Sequence, residues 1–141
     1  MSTNARLRTI ETRLAAFTLA LAALFAPVET FVTVQMFGGV AGIVHPGFVA
    51  SVGGVVLSVA GALRSLRARP SRAPALMCAA HAWGTGALWH SLGGRYQFWR
   101  EGGELYYGSV DLWGPALLVA TATAMFALSA YLVLNADGPE R

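Results

Sequence analysis

The sequence contains no lysine; all ten of its basic residues are arginine. Charged residues of both signs make up 12% of the 141 positions, about half the share usual in a soluble domain. There is one cysteine, Cys78, which excludes an internal disulfide framework. Familiar signatures are missing as well: no phosphate-binding loop, no G-x-S-x-G, no C-x-x-C, no H-E-x-x-H and no dinucleotide fingerprint. Whether the chain is an enzyme therefore has no answer in its motifs. A chain this poor in charge cannot coat a globule with polar surface, and it is too apolar to be a disordered segment.

What is present is hydrocarbon. Hydrophobic residues account for 55% of the chain, and the mean hydropathy is +0.54. A membrane core of about 30 Å needs about 20 apolar residues per helix. Four runs meet that need, at 14–34, 46–64, 74–94 and 112–135. The pattern predicts one membrane domain over 1–141: an all-α, integral membrane, four-helix antiparallel bundle with short loops. The start of the chain also fits a secretory leader, with Arg6, Arg8 and Arg13 ahead of an apolar stretch and Ala20-Leu21-Ala22 as a cleavage site. The apolar run continues well past that point, so a retained first span is expected.

The arginines set a direction. With the N-terminus inside, Arg6, Arg8, Arg13, Arg64, Arg67, Arg69, Arg72 and Arg141 lie on the inner side, and only Arg95 and Arg100 lie outside. That bias predicts a cytoplasmic (inner) membrane location with both termini in the cytoplasm. Because the basic residues flank apolar runs, nucleic acid is not an expected partner. The lipid bilayer is.

The connections differ in character. Residues 64–73 read as a basic, proline-broken cytoplasmic turn. A single helix over 14–44 would be about 46 Å long. The first helix is therefore expected to end between Pro27 and Val34, with a re-entrant or interfacial piece before Pro46 opens the second. The outer loop at 96–107 carries Gly102-Gly103 between two aromatic arms. It reads either as a small β-hairpin or as an aromatic belt at the headgroup layer, formed by Tyr96, Phe98, Trp99, Tyr106, Tyr107 and Trp113.

In lipid, helices associate through close contact between small residues. Gly47, Ser51, Gly54, Ser58 and Gly61 form such a seam in the second run. Ala116, Ala120, Thr123, Ala127 and Ala130 repeat the spacing in the fourth, Ala75, Ala79, Ala82 and Gly86 in the third, and Ala16, Ala20 and Ala23 in the first. These seams suit the bundle centre, a second copy of the chain or a larger membrane complex.

Ionisable groups are few. Threading places Glu29, His45, His90 and Asp111 near one end of the bundle, the outer one. Two imidazoles and two carboxylates there form a candidate divalent-metal set, and Glu29 with His45 a candidate proton-handling pair. The bland readings stand beside these: Asp111 as a helix N-cap, Glu29 facing headgroups, and His45 bonded to a loop carbonyl. His81 lies near the middle of the third run. It is a candidate haem ligand or, more plainly, a neutral histidine bonded to a backbone carbonyl, Ser58 or Thr123. His81 and His90 point to opposite faces and cannot chelate one ion.

Three functional readings follow. The leading one is a small polytopic membrane protein without catalytic chemistry, acting as an accessory, assembly or self-associating subunit. The others are a metal- or haem-binding redox component with its site at the outer end, and a small proton-coupled carrier using Glu29.

Overall fold

A computed structural model describes residues 3–36, 39, 46–67, 73–105 and 108–136. They form helices α1 (Thr3–Met36), α2 (Pro46–Leu66), α3 (Ala73–Arg100) and α4 (Val110–Ala136). Each helix packs antiparallel on the next, and a lighter contact between α1 and α4 closes the ring. Pro46 is the first residue of α2, where its missing N–H costs nothing. No strand occurs among the described residues.

The packing is inside-out. Buried positions are mostly narrow, such as Ala15, Ala62 and Ala80, and Met77 is the largest fully buried side chain. Large apolar residues point outward along the helices, among them Phe17, Leu24, Phe31, Val56, Leu117 and Leu134. A soluble monomer does not present so much apolar surface to water. Helices α1, α2 and α4 are long and apolar enough to cross a membrane. Helix α3 is less apolar, because His81, His90, Thr85, Ser91 and its glycines dilute a run that has no charge between 74 and 94. It nevertheless lies alongside both α2 and α4.

Two expectations are corrected. The first helix does not stop before Val34; it runs through Pro27 to Met36. Proline removes one hydrogen bond from a helix, but a broken helix in hydrocarbon would strand several backbone groups. Residues 40–45, where the re-entrant piece was expected, lie outside the described residues. The hairpin at 96–107 is absent as well, because α3 continues to Arg100. Gly102 takes a left-handed φ of 89°. Its amide donates to the Trp99 carbonyl at 3.1 Å, and that of Gly103 donates to the Phe98 carbonyl at 3.0 Å. This is a Schellman stop, so the two glycines end a helix instead of turning a ribbon. Tyr106 and Tyr107 lie outside the described residues.

The small-residue seams divide between the two kinds of face. That of α2 faces inward: Gly54 and Gly61 are buried, and only Gly47 at its end is exposed. Ala75, Ala79, Ala82 and Gly86 of α3 are exposed, as are Ala120, Thr123 and Ala127 of α4. Helix α4 instead buries Val119, Met125, Ser129 and Leu132. Alanine is so common in this chain that its spacing alone does not choose a face. At Gly54 and Gly61 the missing Cβ permits a closer approach to α3.

That approach is tightest at Gly61, where an added Cβ would sit 2.9 Å from the Met77 backbone. Gly61→Val should therefore lower stability by about 1–3 kcal/mol. Gly53, with open space at its Cβ, should accept alanine and gain up to about 1 kcal/mol of helix propensity. Thermal unfolding of both variants in detergent micelles measures the contrast.

Candidate functional site

A cavity of about 130 Å³ lies between the helices. Thr18, Phe25 and Glu29 from α1, Ser51 and Ser58 from α2, His81 from α3 and Met125 from α4 all reach it. Most of its wall is aliphatic or alanine. Its ionisable groups, Glu29 and His81, lie at two levels. Thr18, which touches His81, is about 16 Å along α1 from Glu29.

At the first level Ser51 Oγ donates to Glu29 Oε1 at 3.2 Å. Antiparallel threading explains the pairing, since Glu29 comes late in α1 and Ser51 early in α2. Glu29 is half-buried. It therefore faces the bundle interior as well as the rim, unlike a side chain that merely greets headgroups.

At the second level His81 is 5% exposed and tied to two other helices. Thr18 Oγ1 is 3.1 Å from Nε2, and Ser129 Oγ is 3.2 Å from Nδ1. Both hydroxyls also point at their own helices: Thr18 donates to the Leu14 carbonyl at 2.8 Å, and Ser129 to the Phe126 carbonyl at 2.9 Å. A hydroxyl has one proton. While both bond to carbonyls, each can only accept from the ring. A neutral ring has a single N–H, so it can donate to one of the two hydroxyls, and the Met125 backbone is a further partner of the ring.

Of the partners expected for a bonded histidine, a backbone group is present at Met125, while the hydroxyls are those of Thr18 and Ser129 in place of Ser58 or Thr123. Ser58 lines the same cavity without bonding the ring, and Thr123 donates to the Val119 carbonyl at 2.7 Å. Thr18 stands at hydrogen-bond distance from Nε2, a nitrogen that a haem iron would need.

Of the outer-end metal candidates, Glu29, His90 and Asp111 do not gather into one group. Asp111 pairs with Arg95 at 3.2 Å, His90 is exposed on α3, and Glu29 meets Ser51. His45 lies outside the described residues. Among the described residues no three His, Cys, Asp or Glu side chains gather as a metal site. Asp111 is also not the cap of α4. The helix begins at Val110, and the Ser109 carbonyl takes the first helical bond, from Trp113 at 3.1 Å. Asp111 sits in the first turn, where a carboxylate suits the helix dipole, and it locks α3 to α4 through Arg95.

Sequence reasoning missed Thr18 and Ser129, although the signal was available. Counted from the same end of their runs, Thr18, His81 and Ser129 fall four to seven residues in, about 6–10 Å deep. The arithmetic applied to the carboxylates would have put these hydroxyls at the level of the imidazole.

No protein-family model, curated protein or solved structure matches the chain.

The Asp111 side chain is 8% exposed and that of Arg95 27%, so removing the guanidinium leaves a buried carboxylate short of a donor. Arg95→Met should cost about 1–3 kcal/mol of stability. Adding Asp111→Leu should return part of that loss, and a double-mutant cycle of unfolding in detergent reads the coupling.

Proposed function

We propose that this protein is a four-span membrane bundle that binds a small molecule in its central cavity and exchanges it against a proton at Glu29. One observation carries the reading: a carboxylate and an imidazole from different helices line one cavity with apolar walls. Ionisable groups inside membrane helices are costly and mark ligand or proton sites. The volume of about 130 Å³ is close to that of a cavity known to accept benzene. Ser51 stabilises either protonation state of Glu29, by donating to the carboxylate or accepting from the acid. His81 lies beyond it in the same space, anchored to α1 and α4.

The metal and haem readings have less support, since Glu29 meets Ser51, Asp111 meets Arg95 and Thr18 stands beside His81 Nε2. The accessory-subunit reading rests on the outward small-residue faces of α3 and α4, which suit a second copy or a larger complex. The cavity goes further, because it holds the chain's intramembrane acid.

The reading needs α3 to cross beside its neighbours. Gly61 against Met77 at one end and Arg95 against Asp111 at the other run α3 along the lengths of α2 and α4. With the arginine bias, both termini are cytoplasmic in an inner membrane. Single cysteines at positions 39 and 100, in a Cys78→Ser background, should both react with an impermeant maleimide from the outside. Opposite sidedness would end the four-span reading.

Glu29 itself is tested with dicyclohexylcarbodiimide, an apolar reagent that attacks protonated carboxyls. Peptide mass analysis should find the adduct at Glu29 and none in Glu29→Gln. A Glu29 that fails to react rules out proton exchange there.

A further inference from the structure

A second concavity lies outside the central cavity, where α3 ends and α4 begins. It is a groove of about 890 Å³, within the range of ligand pockets. Trp89, Tyr96 and Trp99 of α3 and Trp113 of α4 line it, with Gly93 among them. Three of the chain's four tryptophans thus gather on one groove. An aromatic belt has no need of that, since a belt spreads its rings around the whole bundle. Among the described residues that line the groove, Glu104 is the one charged side chain.

Several rings around one carboxylate make a recognisable chemistry. The π-faces of tryptophan and tyrosine attract cations, and weakly hydrated quaternary ammonium groups gain most because little water is stripped from them. We propose that this groove binds a quaternary ammonium group, with the tryptophans around the methyls and Glu104 supplying the opposing charge. The backbone is prepared for the task. The Schellman stop at Gly102 and Gly103 folds the chain back beside Trp99, and Phe98 packs over Gly103 so closely that a Cβ there would collide with its ring. The Arg95–Asp111 pair ties the two helices together beside the groove. Such an ammonium arrives either on a choline-type lipid headgroup or as a free solute. The groove sits at the ends of two helices of the bundle, within reach of either.

The test uses the full chain in maltoside micelles and radiolabelled choline in equilibrium dialysis, a readout that does not depend on tryptophan emission. Saturable binding is expected, displaced by tetramethylammonium but not by ethanolamine, whose primary ammonium holds its water. Trp113→Leu and Trp99→Leu keep apolar bulk and remove the indole. Each should weaken binding by about threefold to tenfold, as should Glu104→Gln, with thermal unfolding unchanged. Absence of saturable binding, equal displacement by ethanolamine, or full affinity in Trp113→Leu overturns the proposal. Nanodiscs of mixed phosphatidylcholine and phosphatidylglycerol identify the source. Selective retention of phosphatidylcholine through detergent extraction supports a headgroup ligand. Saturable choline binding without lipid selection supports a free one. The central cavity is not involved, so Glu29→Gln should bind choline normally.

Discussion

An imidazole buried among hydrocarbon has no water to turn to. His81 meets that constraint by borrowing a hydroxyl from α1 and another from α4, and the registry of three helices depends on the exchange. Were α1 shifted by one residue, Thr18 would rotate about 100° from the ring. Were α4 shifted likewise, Ser129 would turn away. A polar group that must be satisfied inside a bundle thus acts as a register pin, a role hydrophobic contact cannot fill, because lipid tails are as apolar as the helix faces.

The cavity follows from how α2 approaches α3. At Gly61 the two backbones nearly touch, and a missing Cβ makes that contact possible. One level outward Trp83 rests against Gly54, 3.1 Å from where a Cβ would stand, and its indole N–H donates to the Ala50 carbonyl at 2.9 Å. Beside these contacts the facing side chains are Ala22, Ala50, Ala80, Gly84 and Ala87, too short to fill the space between helices. The residues that let the helices pack are also those that leave room, and Glu29 and His81 border what remains. Their arrangement resembles neither a metal centre nor a catalytic dyad, since three helical turns of α1 separate their levels.

The end of the bundle where α3 meets α4 is built on different physics. There the Schellman stop and the Arg95–Asp111 pair hold the end of α3 to the start of α4, and tryptophans rather than small residues define the space. Polar and aromatic groups can work there because water and headgroups are near. The two concavities share one bundle, but one is narrow, aliphatic and deep, while the other is broad, aromatic and shallow.

Much of this was legible in the residues. Long uncharged runs, an arginine-only basic set and the Gly/Ser seam of α2 determined an all-helical bundle of membrane-length elements, because hydrocarbon allows few other solutions for the backbone. The number and order of the helices, and the inward seam of α2, followed from composition and spacing. Other features did not. Gly102-Gly103 reads as a turn or as a helix stop until the hydrogen bonds are seen. The alanines of α3 and α4 fit several faces equally well. The ionisable groups were grouped by depth alone, which places residues on a common level but not on a common side. Depth is a one-dimensional quantity set by chain length. Which side chains meet depends on the rotation of each helix about its own axis, and that rotation is decided only when helices dock, by Gly61 against Met77 and by two hydroxyls around His81.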